Sequence, residues 1–163
     1  MYILECELEV PASIEETFAV FEDPYNLAKI TPPWLGFKIV TQGLNMRKGA
    51  EIDYSIRWLG LPLKWKTEIT AYEPPEMFVD EARTSPYKIW VHRHTFRSTA
   101  TGTMVRDRVE YDLPFGPLGG IAHRLIVAPQ LREIFEYRQK AIAGLLGRSA
   151  LHMYPPVIRK APG

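Results

Sequence analysis

Cys6 is the only cysteine in this 163-residue chain, so no intrachain disulfide can staple the fold and no Cys-x-x-Cys redox or zinc pair exists. The lone thiol fits a reducing compartment. It reads as a small buried hydrophobe and not as a nucleophile. An excess of one charge is missing too. Lys and Arg number 20 against 19 Asp and Glu, a net charge of +1, which supplies no electrostatic argument for nucleic acid or for an anionic membrane. No apolar run is long enough to span a bilayer, and no basic segment leads into an apolar stretch at the start. Neither stable membrane insertion nor a signal peptide is therefore expected, and the cytoplasm is the default location. Glycine-rich phosphate loops and Gly-x-Ser-x-Gly elbows are absent, so no cofactor is assigned. Gly116-Pro117-Leu118-Gly119-Gly120 reads as a turn into a helix and is a poor match for a nucleotide loop. Internal repeats and low-complexity tracts are lacking as well. What remains is 46% hydrophobic and 24% charged, ordinary for one domain with a real core.

Residues 2–10 alternate, with Tyr2, Leu4, Cys6, Leu8 and Val10 on one face and Glu5, Glu7 and Glu9 on the other, as in a half-buried strand. Pro11-Ala12 ends it. Ser13 with Glu16 three residues on makes a capping box for a short helix that buries Phe18 and Phe21. Asp23-Pro24 opens a second short helix running to about Ile30, stopped by Thr31-Pro32-Pro33. Alternation then predicts strands over 37–41, 51–59, 63–70 and 77–82, separated by turns at Gly60-Leu61-Pro62 and Glu73-Pro74-Pro75-Glu76. The second turn places Phe78 and Asp80 inward, opposite Ala71 and Ile69. Connections this short favour an antiparallel meander. After Pro114 the period becomes helical: Leu118, Ile121, Leu125, Ala128, Leu131, Phe135, Ile142 and Leu145 form one apolar stripe. Pro129 predicts a kink or a break within it. Residues 148–163 lack periodicity and read as a tail, leaving 1–147 as the single domain.

Residues 90–111 carry the most chemistry. Two alternating runs flank Thr99-Ala100-Thr101-Gly102, and a four-residue loop there pairs Phe96 with Val105, His94 with Asp107, His92 with Val109 and Trp90 with Tyr111. Two histidines and an aspartate thus join the aromatic residues turned inward, while Arg93, Arg97, Arg106 and Arg108 face solvent. His94 opposite Asp107 makes a charge-assisted pair, able to act as general acid and base if a substrate reaches it. The plainer alternative is a structural His–Asp pair in a satisfied core network. His92-x-His94 also points two imidazoles the same way, as metal ligands do. Asp107 and Asp80 are the further donors on offer, and with no other His, Cys or Glu converging, no metal is assigned. Tyr54, Thr67 and Tyr111 add hydroxyls to the inward face, and Trp58, Trp65 and Trp90 offer stacking area, though such aromatics are more often core. Trp34-Leu35-Gly36 and Leu59-Gly60-Leu61 put apolar residues in turns, where they would gate a pocket or touch a membrane.

The order strand, two short helices, six strands, long helix describes an α+β chain. Its simplest burial is a strongly curved antiparallel sheet of about seven strands wrapped around the long C-terminal helix, with room for a cavity between them. This order, together with Phe21-Glu22-Asp23-Pro24-Tyr25-Asn26-Leu27, Ile30-Thr31-Pro32-Pro33-Trp34-Leu35, Trp90-Val91-His92, His94, Phe96 and Leu113-Pro114-Phe115-Gly116-Pro117-Leu118-Gly119, resembles the helix-grip fold of the START-like (SRPBCC) superfamily. Within it, the chain looks like a bacterial, polyketide cyclase/dehydrase-like branch. The resemblance covers residues 1–147. It implies a hydrophobic cavity between sheet and helix but transfers no catalytic residue, and fold does not settle function. The expected partner is a small hydrophobic ligand, lipid-like or aromatic and polyketide-like. Tyr54, Trp58, Trp65, Thr67, Trp90, His92, His94, Asp107, Tyr111 and Phe135 are the candidate contacts. A cyclase- or dehydratase-type enzyme using His94 and Asp107 is the alternative, and a co-chaperone-like protein-interaction module the third.

Overall fold

The computed structural model describes residues 1–58, 60–114 and 116–162, with 117 and 118 described by backbone alone. Leu59, Phe115 and the side chain of Leu118, which the sequence assigns to turns and to the helical stripe, lie outside the described residues. Along the chain come β1 (Tyr2–Val10), α1 (Ile14–Glu22), α2 (Asn26–Ile30), a 3-10 turn (Pro33–Leu35) and β2 (Lys38–Ile39). The meander follows as β3 (Glu51–Trp58), β4 (Leu61–Glu73), β5 (Met77–Thr84), β6 (Ile89–Ser98) and β7 (Thr103–Asp112). The chain finishes with α3 (Gly116–Ala122), a π-helical turn (His123–Val127), α4 (Ala128–Leu145) and β8 (His152–Lys160). The strands form one antiparallel sheet in the order β2-β3-β4-β5-β6-β7-β1-β8, open at both edges, with the long helix packed on it in a helix-grip arrangement. No helix among the described residues is long and apolar enough to cross a membrane.

Local chemistry sets the helices. The Ser13 hydroxyl accepts from the Glu16 N–H at 3.2 Å, and the Glu16 carboxylate accepts from the Ser13 N–H at 3.0 Å, which completes the expected capping box. Phe18 and Phe21 are buried as the spacing requires, packing edge-on against Phe96. The hairpin register between β6 and β7 matches the sequence reading pair for pair, from Trp90 opposite Tyr111 to Ser98 opposite Thr103. Its turn packs hard on the end of β1: a Cβ on Gly102 would lie 2.0 Å from the Val10 carbonyl oxygen.

Three expectations are corrected. The sheet has eight strands, not about seven, because β8 lies in the stretch read as a tail and pairs with β1 from Tyr2–Lys160 to Glu9–His152. It shows no alternation because it is an edge strand with only Pro156 buried. Pro155 and Pro156 cannot donate to a ladder, and the register shifts beside them, between Glu5 and Glu7. There the side chain of Gln139, 1% exposed, donates to the carbonyls of Glu7 at 2.8 Å and Tyr154 at 2.9 Å. On the outer face, Glu5 accepts from Arg106 and Arg108 of β7 and Arg159 of β8.

The second correction concerns the helical stripe. Ile121 and Leu125 are exposed, while His123 and Val127 are buried in their place. A π-helical turn holds one residue more than an α-turn, so the face rotates before α4, and Pro129 sits in the first turn of the new helix. From Ala128 onward Leu131, Phe135 and Ile142 are buried as expected, whereas Leu145 is exposed. Third, a bulge between Ile69 and Ala71 moves Phe78 opposite Tyr72, leaving Asp80 opposite Ile69 as expected.

Replacing Gln139 by leucine removes both side-chain hydrogen bonds that bridge β1 and β8 and leaves two carbonyls short of a donor. The expected cost is about 1–3 kcal/mol in urea unfolding. Amide exchange should accelerate over 152–160 while β6 and β7 keep their protection.

Candidate functional site

Between the sheet, the two short helices and α4 lies a cavity of about 630 Å³, walled mainly by apolar side chains such as Phe21, Ile52, Ile69, Leu131 and Ile134. Eight of the ten candidate residues line it: Tyr54, Trp58, Trp65, Thr67, Trp90, His92, His94 and Phe135. Asp107 and Tyr111 do not reach it. Tyr111 is fully buried, and its hydroxyl shares a 2.8 Å hydrogen bond with His123 Nε2, whose ring stacks on Tyr2 at 3.5 Å. Asp107 sits one layer behind the two imidazoles of β6. The turn residue Trp34 is exposed and packs edge-on against Tyr137 at 5.7 Å, and Leu61 is exposed.

Aromatic rings form one wall. Tyr54 stacks on Trp65 at 5.8 Å and 15°, and Trp65 meets Trp90 edge-on at 5.3 Å. Tyr87, absent from the sequence-based set, packs 4.7 Å from Trp90 and lines the same wall. It lies in the turn between β5 and β6, where no periodicity could assign it a face. Burial pushes the phenols of Tyr54 and Tyr87 well up, so both stay protonated. The indole of Trp65 donates to Thr67 Oγ1 at 3.1 Å, and that of Trp58 donates to Gln130 Oε1, tying β3 to α4.

The polar corner is a five-residue cluster. Asp107 Oδ1 accepts from His92 Nε2 at 2.9 Å and lies 2.7 Å from His94 Nδ1, an ion-pair contact out of line for a hydrogen bond. His94 Nε2 donates to Asp80 Oδ2 at 3.0 Å, and the same oxygen is 3.6 Å from His92 Nδ1. Arg138 brings its Nε to 3.8 Å from Asp107 Oδ2 and its guanidinium to 5.6 Å from the Phe21 ring. The cross-strand pairing of His94 with Asp107 is thus present, but Asp107 serves both imidazoles.

Sequence reasoning weighed Asp80 only as a metal donor and missed Arg138. A signal for Arg138 was there: it falls three residues after Phe135 and four before Ile142, on the apolar stripe itself.

Electrostatics assign the protons. Burial opposes ionisation of both carboxyls. Even so, hydrogen bonds from the histidines and the nearby cations hold Asp107 well below the usual carboxylate range and Asp80 below it as well. Burial also opposes charging either imidazole. For His94 the two carboxylates outweigh burial and raise its pKa, whereas for His92 burial and the neighbouring His94 charge win and lower it. A carboxylate only accepts, so neutral His92 carries its proton on Nε2, toward Asp107. With His94 protonated, the charges of Asp80 and Asp107 are matched by those of His94 and Arg138.

Comparisons place this geometry among known proteins. A family model described as polyketide cyclase/dehydrase and lipid transport matches residues 10–135. No curated protein matches the sequence. Among solved structures, protein Ms6760 from Mycobacterium smegmatis is 20% identical with a TM-score of 0.67, over 89% of this chain and 90% of that one. Protein CV1439 from Chromobacterium violaceum is 15% identical with a TM-score of 0.70, over 90% and 99%. TTHA0849 from Thermus thermophilus is 14% identical with a TM-score of 0.63, over 88% and 98%. At these identities the likeness is one of fold.

Asp107→Asn removes the carboxylate on which His92, His94 and Arg138 converge. Breaking such a buried pair from one side should cost about 3–5 kcal/mol, measured by denaturant unfolding. The depressed Asp107 pKa means that its stabilisation is complete above about pH 4 and is lost as pH falls toward the folded-state value. Wild-type stability should therefore fall more steeply than that of the variant as the solution is acidified below about pH 4.

Proposed function

The chain belongs to the polyketide cyclase/dehydrase and lipid transport family, and from that premise we propose that its cavity binds a small, largely apolar ligand carrying an oxygen-bearing head. One observation carries this reading: a largely apolar cavity of about 630 Å³ has a charged cluster in its wall, formed by Asp80, His92, His94 and Arg138. That volume falls within the range of about 300–1,000 Å³ usual for small-molecule sites, where apolar walls supply contact area and a few polar groups set orientation. The wall of Tyr54, Trp65, Tyr87 and Trp90 suits a flat or polyunsaturated body. The corner suits a carbonyl, hydroxyl or carboxylate, with protonated His94 and Arg138 as donors and Asp80 as acceptor. Asp107 acts from behind, through His92 and His94, and Tyr111 packs behind Tyr87 and Trp90.

A second reading, an enzyme of cyclase or dehydratase type, has its own support. His94 Nε2 and Asp80 Oδ2 both line the cavity and stand 3.0 Å apart, so a carbonyl docked there meets a proton donor beside an acceptor. The acid–base pair on the cavity side is then His94 with Asp80, and Asp107 orients the imidazole. Turnover of an added polyketone that disappears in His94→Ala distinguishes this reading from binding alone.

The binding reading is tested by filling the cavity. Ile56, partly buried on its wall, is replaced by tryptophan, and affinity for 1-anilinonaphthalene-8-sulfonate is measured by fluorescence. Wild-type protein should bind the probe saturably. Ile56→Trp, with an unchanged circular dichroism spectrum, should bind it at least about tenfold more weakly, a loss of about 1.4 kcal/mol. Absence of binding to wild type, or equal binding by both, overturns the proposal.

A further inference from the structure

We propose that Asp80, His92 and His94 form a binding site for a divalent first-row transition-metal ion, backed by Asp107 and open toward the cavity. This goes beyond the ligand reading and does not depend on it.

The donor geometry comes first. Asp80 is the cross-strand partner of His92, and His92 and His94 project from the same face of β6 with ring centroids 3.8 Å apart. One ligand atom from each of the three lies within 4.8 Å of the others. Asp80 Oδ2 is 3.0 Å from His94 Nε2 and 3.6 Å from His92 Nδ1. A tetrahedral ion with bonds of about 2.0–2.2 Å spaces its ligand atoms about 3.3–3.6 Å apart, within the span of these two values. The third separation, between the two ring nitrogens, is within 4.8 Å.

The layer behind the donors is the second, independent observation. Histidines that hold a metal through one ring nitrogen commonly give the other N–H to a carboxylate, which fixes the ring and its tautomer. Here a single carboxylate stands behind both rings, accepting a hydrogen bond from His92 and making an ion-pair contact with His94. Asp107 Oδ1 contacts His92 Nε2 at 2.9 Å and His94 Nδ1 at 2.7 Å, in each case the nitrogen turned away from Asp80. The nitrogens left facing Asp80 are the two a metal would take. His92 Nδ1 already presents its lone pair there. His94 Nε2 carries the proton it donates to Asp80, and binding the ion replaces that proton and releases it to solvent, with no change of oxidation state.

The donor set points to the class of ion. Two imidazoles and one carboxylate suit Zn(II), Fe(II), Co(II) or Ni(II), whereas Mg(II) and Ca(II) take mostly oxygen. Three protein ligands leave at least one position open, and since Asp80, His92 and His94 line the cavity while Asp107 does not, that position faces the cavity. Arg138, on the far oxygen of Asp107, is not a ligand. Its charge favours a carboxylate or enolate oxygen as the exogenous ligand.

The test uses chelator-treated wild-type protein titrated with Co(II) and with Mn(II). Co(II) should bind one per chain, with the visible absorption of an imidazole-ligated ion. The chain has four histidines, which gives an internal control. Substoichiometric Mn(II) should broaden the ring resonances of His92 and His94 and spare those of His123 and His152. Asp107→Asn should weaken Co(II) binding about 10–100-fold, and Asp80→Asn should weaken it further. Lack of saturable Co(II) binding, broadening confined to His123 or His152, or undiminished affinity in folded Asp80→Asn overturns the proposal. The Mn(II) experiment needs no variant, so a substitution that fails to fold leaves the claim testable.

Discussion

A carboxylate without water around it must find positive charge, and Asp107, 3% exposed on the inner face of β7, organises the site by that requirement. Its two oxygens face His92 and His94 of β6 and Arg138 of α4, so one side chain of β7 fixes groups on two other elements. His94 in turn reaches Asp80 of β5. The two carboxylates raise the His94 pKa against its burial, and Arg138 adds a second cationic group to the corner. Moving any member leaves another buried charge exposed to low dielectric, which is why the strand register and the placement of α4 are bound to this corner.

Such a cluster leaves the interior incompletely filled. Native cores reach the packing density of organic crystals, and a cavity of this size forgoes dispersion contacts along its whole lining. Stability is drawn from the periphery instead. The aromatic wall braces itself by stacking, Trp58 and Gln130 tie the sheet to the helix, and Gln139 with the arginines around Glu5 fastens β8 to β1. The fold thus keeps a cross-braced shell around open space.

Much of this was legible in the residues. Strict alternation in two runs around a four-residue loop specified the β6–β7 register, because slipping by one residue would turn Trp90, His92 and His94 to solvent. Other features left no periodic trace. The strand β8 is an edge with prolines and almost no buried side chain, and its anchor Gln139 is polar, so neither alternation nor hydrophobicity marks it. The π-helical turn depends on backbone hydrogen bonding that side-chain spacing does not encode, so Ile121 and Leu125 read as core when they face solvent. The bulge in β4 displaced the facing position of Phe78 in the same way. In the site, eight of ten candidates line the cavity, while Asp107 stands behind His92 and His94 and Tyr111 behind Tyr87 and Trp90. Arg138 was overlooked because a charged residue on an apolar stripe reads as solvated, unless a buried acid awaits it.

If Asp107 governs this corner, it places one proton on His92 and two on His94. Nitrogen-15 NMR of the imidazole rings in metal-free protein at neutral pH reports this directly. The spectrum should show two protonated ring nitrogens on His94 and a neutral His92 ring protonated at Nε2. Two neutral rings, or a His92 proton on Nδ1, would contradict that placement.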